Sequence, residues 1–382
     1  MWEQIRNAVG QALRSAEKPC ISLSGGLDSS TVAAAALGQV QQLSAFCIVA
    51  PRLGGSDESR AISALGDMFS YLRLERVDCS DANAYPAVAS AELRDDPTLM
   101  PLSLFPARLR LWGAVREAGY QTLIDGEGGD ELFSICVTAF DAVLRGDWRS
   151  VLRHLRWHPG RRAALQRAVV VPLLPKPLRM AWARRQLRHV GFPAYVSPGA
   201  LQLRELNDAR QQYVEALVHQ SSRDLFEQWL SLPVPVGATA SHDRCAAEFG
   251  LRTVSPLLDR RVVELMLALP PSVLLPRGQD RHFQREVLKG RIPESVRMLS
   301  KDVRLPDELL PHIVCSQQAR ASLRDGAVRE RLSGWVRFER LDAMLDAIPR
   351  GYRPAAVPLW QLECIVTFAD WYSRAAAEFG VS

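Results

Sequence analysis

Cys20-Ile21-Ser22-Leu23-Ser24-Gly25-Gly26-Leu27-Asp28-Ser29-Ser30 is a short apolar run that enters a glycine turn and opens into an alanine-rich segment ending at Leu37. The pattern predicts a strand over Cys20–Leu23 and a helix over Ser29–Leu37, with the glycines in the turn between them. Position gives this turn its chemistry. Glycines let the backbone approach phosphate oxygens, and successive N–H groups at a helix N-terminus attract negative charge. Ser24, Ser29 and Ser30 add hydroxyl donors to that cradle. It is not a Walker loop, because no Gly-Lys-Ser/Thr follows at the required spacing.

Outward from this turn, strand and helix patterns alternate through the first 135 residues, which predicts βα units and a parallel sheet. Trp2, Ile5, Val9 and Leu13 fall at helical spacing ahead of it. Further strands are expected at Leu43–Val49, Leu72–Val77 and Thr122–Asp125. Helices are expected from Ser56-Asp57-Glu58-Ser59 onward and over Ala107–Ala118. In open α/β sheets ligands sit at the carboxyl ends of strands, and a second glycine turn lies at such an end: Asp125-Gly126-Glu127-Gly128-Gly129-Asp130-Glu131-Leu132-Phe133. From Phe133 onward no strand pattern is evident and a mostly helical remainder is expected.

Composition narrows the class. The 382 residues are 47% hydrophobic and 23% charged, enough apolar matter for a sizeable core and ordinary for a soluble protein. No apolar run reaches membrane-spanning length and no signal-peptide pattern opens the chain, so no membrane partner is expected. Seven scattered cysteines, odd in number and never spaced as CxxC, argue against a disulfide framework or zinc site and fit a reducing cytoplasm. Of 47 basic residues only Lys18, Lys176, Lys289 and Lys301 are lysine, which makes each lysine a residue to examine. Arg145 to Arg188 holds twelve bases and a single acid, Asp147, with Trp148, Trp157 and Trp182 interleaved. Bases with aromatics suit nucleic acid, but tryptophans at irregular spacing are more often core, so nucleic acid is disfavoured as a partner.

The first turn resembles the pyrophosphate-binding loop of the ATP pyrophosphatase superfamily, and the second resembles a signature of asparagine synthetases. Gly250-Leu251, Pro256-Leu257-Leu258-Asp259, Val262-Val263-Glu264, Leu269-Pro270-Pro271, Arg285 to Gly290 and Pro293 to Lys301 are similar to the helical half of that synthetase domain. The resemblance implies an α/β fold: a parallel sheet of the ATP pyrophosphatase (HUP-like) type with a large, mostly helical C-terminal part. It implies a single synthetase domain over 1–382, with a nucleotide-binding half over about 1–135 and a helical acceptor half over about 136–382.

It also implies roles. ATP is cleaved between its α- and β-phosphates to AMP and pyrophosphate, with Mg2+ held by Asp28 and Asp130. Leu23, Ile48, Asp125 and Gly126 match positions that contact adenosine, and Ser24, Gly25, Gly26, Ser29 and Ser30 belong to the phosphate loop. Glu127 matches an acid that binds or deprotonates the incoming amine. Lys301 matches a lysine that meets phosphate and the developing oxyanion.

Two departures stand out. Arg252 and Val254 replace the acid and base of a Gly-Leu-Glu-x-Arg pattern, and Leu299 stands where relatives tend to carry an arginine. Only 23 residues precede the loop, too few for a glutaminase domain of about 200 residues, so no N-terminal glutaminase is expected. The nucleophile is then free ammonia, ammonia delivered by a partner, or an amine on the substrate. The Arg252 region and the run from Arg277 to Lys301 look closest to macrolactam synthetases of lasso peptides, cousins of β-lactam synthetases. A peptide or small amino-acid-like carboxylate is the expected substrate, with a precursor-peptide-processing protein as a possible partner. An ammonia-dependent amidating enzyme with a separate glutaminase is the alternative.

Overall fold

The computed structural model describes residues 1–53, 57–81, 105–135, 139–157, 160–189, 221–231, 242–275, 279–299 and 315–348, and shorter pieces at 194–199, 202, 207–208, 211, 214, 309 and 311–312. The chain opens with α1 (Trp2–Ser15), which buries Ile5, Ala8, Val9, Ala12 and Leu13 along one stripe. It continues through β1 (Pro19–Ser22), α2 (Leu27–Ala36), β2 (Leu43–Val49), α3 (Asp57–Met68) and β3 (Leu72–Asp78). After α4 (Phe105–Glu117) and β4 (Thr122–Ile124), a fifth strand, β5 (Arg252–Val254), completes one parallel sheet in the order β3-β2-β1-β4-β5. Each strand and helix expected in the first 125 residues appears within two residues of its predicted bounds.

β5 corrects the expectation that strands end before Phe133. Three residues with an exposed arginine in front carry no legible strand pattern. The pairing comes from tertiary contact: Arg252 N–H donates to Gln121 O at 2.9 Å, and Asp125 N–H donates to Val254 O at 3.0 Å.

Both faces of the sheet are covered, so successive strand residues enter opposite cores. Ile21, Leu23, Ala45, Cys47 and Val49 pack with α1 and α2. Cys20, Phe46, Val77 and Leu123 pack with Trp112 and Val115 of α4. β1 therefore has α2-side and α4-side neighbours at once. The strand order reverses between β1 and β4, paired through Cys20 with Leu123 and Ile21 with Ile124. Such a switch point is where open α/β sheets bind ligands.

Beyond Ile135 the described elements other than β5 are helices, including Trp148–Trp157, Lys176–His189, Arg260–Ala268 and His282–Val287, with one isolated bridge between Val196 and Val336. Here a second expectation is corrected. Trp148 and Trp157 are not core but 51% and 58% exposed, and Leu144, Leu152, Leu173 and Leu178 are exposed too. Only Trp182 is partly buried, against Met180, Ala183 and Val214. The helix spends its buried positions on Ser150 and Val151, which leaves the tryptophans outside. Among the described residues no helix is long and apolar enough to cross a membrane.

Candidate active site

The two glycine turns follow β1 and β4, neighbours across the switch point, and together they wall a cleft of about 370 Å³. Leu23, Ser24, Gly25, Gly26, Asp28, Ser29, Ile48, Asp125, Gly126, Glu127 and Asp130 all line it. Ser30 does not: it is fully buried one helical step further round α2. Lys301 lies outside the described residues, although Leu299, two positions earlier, lines the cleft.

The first turn is held by its own serines. Ser29 Oγ accepts from Ser24 N–H at 3.1 Å and donates to Gly26 O at 3.3 Å, and Gly26 N–H donates to Ser24 Oγ at 3.3 Å. Gly25 has φ of 78°, the left-handed region where a side chain is strained. The result is a tight loop that delivers the N-terminus of the ten-residue α2 to the cleft, an arrangement suited to an anion.

The second turn packs on the first at backbone contact. A Cβ at Gly126 would lie 2.7 Å from Asp28 C and Ser29 N, and one at Gly129 would lie 2.2 Å from Asp28 Oδ1. Small residues at 126 and 129 thus let the two turns meet. Asp28 and Asp130 converge on one guanidinium: Arg281 Nη1 donates to Asp28 Oδ2 at 2.6 Å, and its Nη2 contacts Asp130. Gln284 Nε2 donates to Asp28 Oδ1 at 2.7 Å.

Asp125 is the girder of the second turn. Its Oδ1 accepts from Glu127 N–H at 3.1 Å and from Ser255 Oγ at 2.7 Å. His242, buried edge-on against Trp112, lies 3.8 Å from Oδ2. Burial first, then the neighbouring Glu127 charge, push the Asp125 carboxyl up from its ordinary 3.8 to about 6. A raised carboxyl favours the folded state while protonated. Its contribution is complete below 3.8 and is lost as pH rises through about 6. Asp125→Asn, which keeps the oxygen acceptor, removes that component. Urea unfolding should show the variant gaining on wild type between pH 4.5 and about 7; a difference that does not vary with pH would contradict it.

Glu127 reaches into the cleft and accepts from Arg108 Nη1 at 3.1 Å. The Arg108 charge holds its carboxyl below the ordinary value. Arg285 ties the last wall in place. Its guanidinium donates to the carbonyls of Arg297, Asp280 and Leu299, the latter two at 3.1 and 3.3 Å. Arg297 returns a bond to Arg285 O at 3.2 Å. None of the described cysteines lines the cleft, and burial pushes the thiols of Cys20, Cys47, Cys79 and Cys245 up to about 12.

A family model described as asparagine synthase matches residues 2–373. The chain belongs to the asparagine synthase family. No curated protein matches it. Asparagine synthase family members are ATP-dependent, amide-forming, AMP-releasing ligases, which generally use Mg2+, and the cleft has the parts for that chemistry. Two hard carboxylates that meet the same guanidinium suit Mg2+, which is usually held by one or two carboxylates and completed by substrate phosphates. Among the described residues no group of three or more His, Cys, Asp or Glu could hold a metal alone.

Arg108, Trp112, His242, Ser255 and Arg281 were missed by motif reading. Arg108 and Trp112 sit in a helix recognised only as a helix, and His242 and Ser255 flank β5, a strand with no legible pattern. Arg281 left one signal, its place four residues before Arg285 in a stretch that resembles the family.

Of the two sequence departures at Arg252 and Val254, the first is misplaced as a pocket feature. Arg252 is exposed beside Gln121, Gly250 and Glu17 at the opposite end of the sheet. Val254 ends β5 at the carboxyl edge, bonded to Asp125.

Proposed function

We propose that this asparagine synthase family member adenylates a side-chain or terminal carboxylate of a peptide and lets an amine of the same peptide attack it, closing a macrolactam of the lasso type. The reading is carried by Leu299, an apolar residue on the cleft wall where relatives tend to place an arginine. Val254 makes the same exchange at the edge of β5. A free amino acid needs a cation for its α-carboxylate, and burying that charge without one is costly. A peptide has that carboxylate locked in an amide and needs none.

The order of events follows from the walls. The loop at Ser24–Ser29 and the N-terminus of α2 take the phosphates. Asp28 and Asp130 would hold Mg2+, which offsets the charge of the departing pyrophosphate. The substrate carboxylate attacks the α-phosphorus and forms an acyl adenylate; the amine then displaces AMP. Glu127 faces the incoming amine. Because Arg108 depresses its pKa, Glu127 is the better anchor for an ammonium and the poorer proton acceptor.

The test is nucleotide chromatography with candidate peptides: AMP and pyrophosphate are expected in step with loss of one water from the peptide mass. ADP and phosphate would overturn the chemistry. Turnover of free aspartate with ammonium, without peptide turnover, would favour the amidating alternative.

The basic stretch supplies a surface for such a substrate or for the protein that delivers it. Arg161, Arg162, Arg184 and Arg185 are exposed, in the same stretch as the uncovered Trp148, Leu152 and Trp157. Positive charge with apolar side chains fits an acidic, amphipathic peptide better than a small metabolite. Replacing the four arginines by glutamine should raise KM for the peptide about tenfold and flatten its salt dependence, with ATP affinity unchanged. Unaltered peptide kinetics would reduce the stretch to solvated surface, and loss of copurifying nucleic acid instead would reassign it.

A further inference from the structure

Arg281 lies between the two carboxylates just assigned to the metal. Its side chain is 1% exposed, its Nη1 is 2.6 Å from Asp28 Oδ2, and its Nη2 contacts Asp130. Gln284 Nε2 occupies the other Asp28 oxygen at 2.7 Å and also donates to Thr31 Oγ1 at 3.2 Å. One guanidinium therefore offsets much of the negative charge that would draw a cation. The backbone at Arg281 is left-handed, with φ of 51°, which is uncommon for a residue with a side chain. Strain of this kind persists where surroundings enforce it, and it gathers at functional sites.

We propose that Arg281 is an exchangeable counter-ion: without nucleotide it clamps Asp28 to Asp130 and keeps divalent cations out, and metal enters only together with ATP. The proposal rests on the reading of Asp28 and Asp130 as metal ligands. A dication arriving alone must break a buried ion pair and strand the guanidinium, which is costly. ATP changes the balance in two ways. Its phosphate oxygens complete the shell of the ion, and they offer the released guanidinium a new, charge-assisted partner. Metal and nucleotide then bind as a unit, and the carboxylate pair does not sequester Mg2+ in the resting protein.

Mn2+ is a suitable probe, followed in the nucleotide-free full chain by loss of the free-ion EPR signal. Arg281→Met should bind Mn2+ at least about tenfold more tightly than wild type, because one opposing charge is gone. Arg281→Lys should stay near wild type, and Asp28→Asn added to Arg281→Met should abolish the gain. Mg2+ alone should raise the Tm of Arg281→Met but not of wild type.

Equal Mn2+ affinity in wild type and Arg281→Met overturns the proposal. So does a nucleotide-free wild-type site, with Kd of about tens of micromolar, that Asp28→Asn removes. This second comparison decides even if Arg281→Met fails to fold. Should Asp28→Asn and Asp130→Asn retain full activity, the metal-ligand reading itself falls. Should they be inactive while the Mn2+ affinities are equal, only the counter-ion role does.

Discussion

Asp28→Asn and Asp130→Asn are each expected to lower AMP formation by more than about a hundredfold, since loss of even an outer metal partner costs 10- to 100-fold. Asparagine is the informative replacement. Arg281 is buried against both carboxylates, so removing a whole side chain would strand its charge and confuse a catalytic loss with a folding one. An amide oxygen still accepts from the guanidinium but carries no charge to hold Mg2+. Far-UV circular dichroism and an unchanged Tm would establish that the variants fold. Full turnover at saturating magnesium in a folded variant would refute the assignment of that carboxylate as an essential ligand.

Gly129→Ala should be nearly as damaging, and by steric means alone. The added methyl would meet Asp28 Oδ1 at 2.2 Å and Cγ at 2.3 Å. Asp28 has little room to retreat, because Arg281 and Gln284 hold both its oxygens. The carboxylate must turn away or the two glycine turns must part, and either displaces a group by the order of an ångström that can cost about a hundredfold in rate. Gly119→Ala is the control. Its φ is 85° and nothing lies within 4 Å of the new methyl, so it should cost about 1 kcal/mol of stability from backbone strain and leave kcat unchanged. If Gly129→Ala behaves like Gly119→Ala, the close approach of the turns is not a catalytic requirement.

Much of this site was legible before any fold was in view, and the reason is local. A strand that runs into Ser24-Gly25-Gly26 and then into a helix is written in contiguous residues, as is the second turn from Asp125 to Asp130. Strands β2 and β3 and the early helices announce themselves through periodicity, because each buries a face that must recur at a fixed spacing. The tryptophans at 148 and 157 misled for the complementary reason. Apolar character says a side chain gains by burial, not that a partner exists to bury it, and these two remain exposed.

The chain's order of residues was enough to determine the α/β class, the two glycine turns, the carboxylates on them and membership in a family of ATP-dependent ligases. Each depends on neighbours along the backbone, where spacing and chemistry can be read directly. Only the tertiary structure decided that β1 and β4 are adjacent, that β5 joins them from 128 residues beyond Ile124, and that Arg281 bridges Asp28 and Asp130. It also decided that Arg252 lies at the opposite end of the sheet from the cleft while Val254 bonds to Asp125. These are contacts between segments about a hundred residues or more apart, set by which faces of the sheet find cover and by the close approach that Gly126 and Gly129 permit. No local pattern encodes such contacts, because their energy is shared among residues that meet only once the chain has folded.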